Sequence, residues 1–376
     1  MNWQYIEPWL QLSLISGLGP KRQKQLINKL GNPQTIISLP KETLAKKTSV
    51  KLADRIHSYL HNPDTQKQLK VTHQWVDASP QHHIITLDDP SYPEQLKTIA
   101  DPPLVLYIYG DPHLLSDPQI AVVGSRQPTL HGKKIARQIT QELCKSGLVI
   151  TSGIALGIDA IAHQTTVSQK GQTIALLGTG IDQVYPRQNQ QLFADITNNG
   201  ALVSEFPLGT PPAPGHFPKR NRLIAGLSLG TVVIEAAVAS GSLITAKLAL
   251  EQGREVFAVP GPVASPLSRG CHQLIREGAI LTENARHIIE ELQPLLKTYL
   301  KDNPILLNYD EKSEENCVQN HPPSWQAIHS VIGYDIVSTD ELMNYISMEY
   351  EQLLQLLTEM EIAGVIQAVS GGYQRN

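Results

Sequence analysis

Between residues 103 and 261, apolar positions come in short unbroken runs separated by stretches with helical spacing. The runs are PLVLYIYG (103–110), QIAVVGS (119–125), GLVITSG (147–153), QTIALLGTG (172–180), ALVSEFP (201–207), GTVVIEAA (230–237) and REVFAVPG (254–261). Each is rich in Val, Ile and Leu and most end in Gly, Ser or Pro, so each predicts a short strand. Unbroken rather than alternating hydrophobicity predicts strands covered on both faces. The segments GKKIARQITQELCKSG (132–147) and SLITAKLALEQG (242–253) carry the helical period between strands. Strands alternating with helices predict a doubly wound α/β domain with a mostly parallel sheet, spanning residues 80–297.

The flanks follow a different pattern. Over residues 9–60 apolar positions recur at helical spacing, broken by GLGP (17–20) and GNP (31–33), which predicts a small all-α domain over residues 1–65. GLGPKR resembles the turn of a helix-hairpin-helix module, whose backbone amides can meet a phosphate; a bare turn between packed helices accounts for it equally well. Residues 298–324 lose periodicity and gather acids, Asn and Pro, as a linker does. From 325 to 376, WQAIHSVIG, TDELMNYI and EYEQLLQLLTEMEIAG predict three short helices, the second capped by Ser338 or Thr339. VIQAVSGGYQRN then predicts two strands, completing the pattern of a winged-helix domain.

Composition narrows the class. Charged residues make up 18% and hydrophobic residues 41% of the 376, as in a globular chain, and no apolar run is long enough to span a bilayer. The N-terminus lacks the basic start and small-residue cleavage site of a signal peptide, so a cytoplasmic location without membrane partners is expected. Cys144, Cys271 and Cys317 are widely separated and outside any metal-ligand spacing, so neither a disulfide framework nor a metal site is expected. The net charge of −4 argues against a general polyanion binder, but its distribution points elsewhere. From Ile120 to Ile234 ten bases face five acids, a local +5.

Ligands of open parallel sheets bind beyond the carboxyl ends of the strands. The loops expected there are VGSRQP (123–128), TSGIALGIDAIAH (151–163), LGTGIDQVYPRQN (177–189), PGHFPKRNR (214–222) and ASGSLITA (239–246). Four of the five combine Gly with Ser or Thr, which suits close approach to phosphate, although a tight strand-to-helix turn explains any one of them. Together with the local +5 they point to an anionic ligand. A P-loop is excluded because GKK (132–134) lacks both the upstream glycine spacing and the hydroxyl, and LGTGIDQ is no dinucleotide fingerprint. No cofactor is expected. His57 and His61 lack an HExxH context and are assigned to a solvated helix face. Asp159 and His163 have the spacing of an acid/base pair without an accompanying nucleophile or metal set, so capping and packing are the expected roles.

In order along the chain, VGSR (123–126), SGIALGIDAIAH (152–163), LGTGIDQVYPRQN (177–189), SEFPLGTPPAPGHFPKRNRLIAGLS (204–228), EAAVASGSLITA (235–246) and VFAVPG with SRGCHQLIREGA (256–279) closely resemble the DNA-processing protein A family, DprA or Smf. The resemblance implies an extended Rossmann-like sheet, an N-terminal helical domain of sterile-alpha-motif type and an optional winged helix. It also implies a non-enzymatic homodimer that binds single-stranded DNA, protects it on entry and loads the RecA recombinase in natural transformation and homologous recombination. Carried onto this chain, Arg126, Arg187, Lys219, Arg220 and Arg222 would line the strand groove. Gly124, Ser125, Gly153, Ser240, Gly241 and Ser242 would offer donors to phosphate, and Phe217 would stack on bases. Asn221 and Arg222 fall where the helix is expected to begin, so one or both can instead tie the loop to neighbouring strand ends. The family's dimer contact falls near CHQLIREGAIL (271–281), where His272, Leu274, Ile275 and Leu281 form an apolar patch or, equally, an ordinary core-facing helix.

Two competing classes can be set against this. Phosphoribohydrolases on related folds carry a PGGxGTxxE loop with a catalytic glutamate, but this chain has ASGSLITA there, with Thr245 and Ala246 where acids are needed. A transcription regulator would use the winged helix on duplex DNA, but residues 325–376 hold one base, Arg375, against seven acids, a charge better suited to protein contact or a structural role.

Overall fold

The computed structural model describes residues 2–299, 322–332, 336–346 and 348–375. They form two compact units, one ending at Tyr299 and one starting at Pro322. The first opens with six helices: α1 (Trp3–Ser13), α2 (Pro20–Leu30), α3 (Pro33–Ser38), α4 (Lys41–Lys47), α5 (Val50–Leu60) and α6 (Pro63–Asp77). Three of them start with proline at the first position, where no backbone donor is needed. The helical region therefore reaches Asp77, twelve residues past the boundary read from the sequence.

A nine-stranded sheet follows. Its elements are β1 (His82–Thr86), α7 (Glu94–Lys97), β2 (Val105–Gly110), β3 (Gln119–Gly124), α8 (Leu130–Lys145), β4 (Val149–Ser152), α9 (Ile158–Ser168), β5 (Thr173–Leu176), α10 (Gln190–Asn199) and β6 (Gly200–Ser204). It continues with α11 (His216–Leu227), β7 (Gly230–Ile234), α12 (Gly241–Glu251), β8 (Glu255–Ala258), α13 (Arg269–Arg276), β9 (Ile280–Leu281) and α14 (Ala285–Tyr299). The strand order is β1-β2-β6-β5-β4-β3-β7-β8-β9. From β6 to β9 every pairing is parallel, whereas β2 joins β6 and β1 joins β2 antiparallel. The seven expected strands are present, their ends no more than four residues from the expected ones. The two edge strands β1 and β9 were not expected: QHHIIT is mostly polar, and β9 has two residues, too few to carry a period.

Alternation along the strands divides the core. In β3, Ala121 and Val123 face the layer of α11, α12 and α13, while Ile120 and Val122 face α8, α9 and α14. In β2, Leu106 and Ile108 join the first layer and Val105 and Tyr107 join a third cluster. That third cluster contains Leu10, Leu12, Ile36, Leu44 and Ile56, all fully buried, so the N-terminal helices and the sheet share one core. In the second unit, α15 (Pro323–Val331), α16 (Thr339–Tyr345) and α17 (Tyr350–Ile362) pack Ile328, Leu342, Leu353 and Met360 together, and β10 (Ile366–Val369) pairs antiparallel with β11 (Gly372–Arg375). Ser338 and Glu341 form a reciprocal cap on α16. Of the linker expected over 298–324, residues 300–321 lie outside the described residues.

The shared core generates a prediction. Leu10→Ala should cost about 2–5 kcal/mol, and that loss should reach the sheet. In a Trp325→Phe background, urea midpoints from tryptophan emission, reporting the helical region through Trp3, Trp9 and Trp75, and from amide exchange of β3 and β4 should fall together; unchanged exchange in the strands would contradict a common core.

Candidate nucleic-acid interface

The strand order reverses at β3, which has β4 on one side and β7 on the other. The loops leaving β3 and β7 therefore diverge to opposite faces and leave a crevice between them. Glu235, just past β7, bridges the two loops by accepting from the Thr129 backbone N–H at 2.8 Å and from the Thr129 hydroxyl. It does so at φ +52°, an unusual conformation for a residue with a side chain. Gly124 closes β3 where nothing larger fits, since a Cβ there would lie 1.9 Å from the Ile234 carbonyl oxygen.

Above this crevice lies an open groove with a volume of 640 Å³. Of the expected site residues, Gly124, Ser125, Arg126, Phe217, Arg220, Asn221, Ser240, Gly241 and Ser242 line it. Gly153 lines a smaller adjoining cavity of 70 Å³ with Arg126, Phe217 and Arg220. Arg126 is exposed at the groove wall. Gly241 and Ser242 open α12, whose first backbone N–H groups have no acceptor within the helix, and a helix start of this kind attracts anions. The Ser240 and Ser242 hydroxyls hold each other at 2.7 Å.

The basic cluster is arranged differently from the expected loop. α11 begins at His216, so Phe217, Lys219, Arg220 and Arg222 all lie on the helix, and the polypeptide from Glu205 to Gly215 serves as the loop. Pro218 fits in the first turn, where its missing donor is not needed, and His216 stacks on Phe206 at 4.5 Å. Successive residues of a helix point about 100° apart, so Arg220 diverges from Lys219, whereas Lys219 and Arg222, three apart, share a side. Lys219 is exposed but does not line the groove. Arg222 is drawn into the fold: it pairs with Glu205, contacts the Asp101 carboxylate at 3.3 Å and donates to the Asp101 carbonyl at 2.7 Å, with 8% of its side chain exposed. It is a structural tie, not a groove cation.

Arg220 lies beneath the groove floor. Its Nη1 donates to the carbonyls of Gly153 at 2.7 Å and Leu176, the ends of β4 and β5, and its Nε donates to Asn221 Oδ1 at 3.2 Å. Burial pushes the guanidinium down to about 10, partly offset by Asp159. Burial also pushes the Asp159 carboxyl up against the pull of Arg220, while Asp159 accepts from the N–H groups of Gly153 at 3.2 Å and Ala155 at 3.4 Å. The Gly153 N–H is therefore engaged and is removed from the phosphate donors. Arg187 is exposed on a short 3-10 turn outside both cavities.

Sequence reasoning missed Tyr185. This residue lines both cavities, is 44% exposed and lies 5.5 Å from Phe217 between ring centroids, making a two-ring wall. Gly178 allows the Phe217 ring its place, because a Cβ there would stand 2.8 Å from it. The signal was present in VYPRQN: an aromatic residue in a strand-end loop, where burial is not expected.

The family model for DNA recombination-mediator protein A matches residues 83–293. The chain belongs to that family. A DprA winged-helix model matches residues 319–372. Protein Smf of Escherichia coli K12 is 40% identical over 311 residues, 82% of this chain and 81% of that protein. The DNA processing protein DprA of Streptococcus pneumoniae R6 is 45% identical over 207 residues, 55% of this chain and 73% of that one. Among solved structures, the Streptococcus pneumoniae DprA structure superposes with a TM-score of 0.67 at 36% identity, covering 76% of this chain and 97% of that one. A Helicobacter pylori DNA processing protein A, described for its unique single-stranded DNA binding mode, superposes with a TM-score of 0.51 at 33% identity, covering 57% and 97%.

In this member of the recombination-mediator family, the patch expected to form a dimer contact is only partly at the surface. Leu274 is buried in the core, His272 bonds the Gly261 carbonyl at 3.0 Å, Ile275 is half-buried and Leu281 is exposed. Among the described residues no helix is long and apolar enough to cross a membrane, and no group of three or more His, Cys, Asp or Glu side chains is arranged to hold a metal ion. Asp159 and His163 bond different partners. The His163 Nδ1 contacts the Thr173 hydroxyl at 2.7 Å; that hydroxyl donates to Ile150, so it accepts from the ring.

Two predictions come from these buried groups. Arg222→Ala leaves Glu205 buried without its cation and should cost about 3–5 kcal/mol of stability, measured by urea unfolding. Burial, reinforced by Arg220, pushes His163 down to about 3, so the unfolded chain takes up a proton near pH 6.5 that the folded chain refuses. The neutral ring contributes its full stability above about pH 6.5 and loses it as pH falls towards about 3. Urea midpoints measured across that window should fall less steeply for His163→Gln than for the parent chain.

Proposed function

We propose that the groove binds single-stranded DNA without sequence preference and that the chain acts as a DNA-processing protein, protecting the strand and passing it to the RecA recombinase as a homodimer. The observation that carries this reading is the placement of Phe217 and Tyr185 beside exposed Arg126 in one groove. Aromatic faces stack on any base, and a cation beside them neutralises the backbone, which is the division of labour that sequence-independent strand binding needs. Paired bases hide their faces inside the duplex, so the ring wall favours unpaired strands. The similarity to the Helicobacter pylori protein supports the same ligand. His272, Ile275 and Leu281 remain the proposed dimer contacts.

An enzymatic role is not supported. Thr245 lines the groove and Ala246 is buried, where a phosphoribohydrolase needs acids. The groove carboxylate, Asp159, is held by two backbone N–H groups and faces Arg220.

Fluorescence anisotropy with oligo-dT and a matched duplex at several salt concentrations tests the proposal. Phe217→Ala should weaken strand binding by about 1–3 kcal/mol. Arg126→Ala should weaken it at low salt and reduce the logarithmic salt slope by about 0.7. Equal affinity for duplex, or no loss in Arg126→Ala, would remove the groove assignment.

A further inference from the structure

Much of the basic charge lies away from the groove. Between Pro20 and Leu60 the chain has nine Lys and Arg residues and two acids, a net +7 in a protein whose total is −4. Packing concentrates part of it. Arg22 and Lys29, seven residues apart on α2, and Lys51 and Arg55, four apart on α5, line one concave surface of 470 Å³. These spacings put each pair on one helix face. The hydroxyl-bearing residues Thr48 and Ser49, which join α4 to α5, share the lining with Leu18, Leu26 and Leu52.

The arrangement is built into the GLGP turn. Gly17 sits at φ +74°, its carbonyl accepts from Arg55 Nη1 at 3.2 Å, and a Cβ at Gly17 would stand 2.9 Å from that guanidinium nitrogen. The turn thereby aims Arg55 at the concavity. Among the described residues none of the four cations forms an ion pair, whereas neighbouring Lys41 is held by Asp54 at 2.6 Å. Like charges gathered without counter-charges repel one another, and a polyanion relieves the repulsion.

We propose that this concavity is a second nucleic-acid contact, taking backbone phosphates on the N-terminal helices independently of the groove. Its lining has cations and hydroxyls but no aromatic ring, so it reads phosphate and not base. It therefore extends the length of strand the chain engages without adding sequence preference.

The test uses the full-length protein and oligo-dT of increasing length. Arg22, Lys29 and Lys51 are exposed, so Arg22→Ala/Lys29→Ala/Lys51→Ala should fold normally. Parent affinity should keep rising with length beyond the point where this triple variant levels off. On long strands the triple variant should lose about 2 units of logarithmic salt slope, at about 0.7 per cation. The control Lys46→Ala/Lys47→Ala removes exposed charge on α4 outside the concavity and should leave the length dependence intact. A triple variant that matches the parent at every length overturns the proposal, as does a control that loses as much as the triple variant. The groove reading fails separately: Arg126→Ala/Phe217→Ala would then behave like the parent while the triple variant still lost long-strand affinity.

Discussion

The groove depends on one buried cation. Arg220 lies under its floor, bonding the carbonyls at the ends of β4 and β5, with Asp159 supplying the opposite charge. A guanidinium is costly to bury, and carbonyl acceptors with a nearby carboxylate are what make it tolerable. The geometry that results is specific. A planar fork fixed to two strand ends sets the position of α11, and α11 carries Phe217 one turn earlier. Gly153 and Gly178 are small for the same reason: a Cβ on the first would sit 2.6 Å from the Arg220 guanidinium, and a Cβ on the second would meet the Phe217 ring. The aromatic wall is thus placed by a charge that contacts the strand ends.

This explains why HFPKRNR could be found in the sequence but not apportioned. Residue types identify a cation, not its direction, and within one helix turn Lys219 reaches solvent while Arg220 and Arg222 turn inward. The partners that decide the matter, Gly153, Leu176, Asp101 and Glu205, lie 17 to 121 residues away in the chain. Local spacing carries no information about them. The same limit applies to Leu274, whose helix read equally well as a dimer patch or as a core-facing helix; it packs on β8 with Leu274 buried.

The sheet was legible because its central strands are buried on both faces, which forces continuous Val, Ile and Leu. Legibility failed at the edges. β1 pairs antiparallel with β2 through HHIIT, where two histidines replace the apolar start of a strand. The helical region and the sheet read as separate domains because their patterns differ, yet Leu10 and Tyr107 belong to one cluster. Periodicity marks which side of an element is apolar; it does not say what covers that side.

Charge shows the same dependence on scale. A total of −4 hides a stretch of +7 in the helices, and counting from Ile120 to Ile234 captured a basic region of which only part faces the groove. What matters for a polyanion is the cations left without carboxylates on one concave surface. By that measure Arg126 in the groove and the four cations lining the concavity of α2 and α5 stand together, while Arg220 and Arg222, which make the sequence look most basic, belong to the fold. Neutralising exposed cations should therefore change binding, and neutralising buried ones should change stability first.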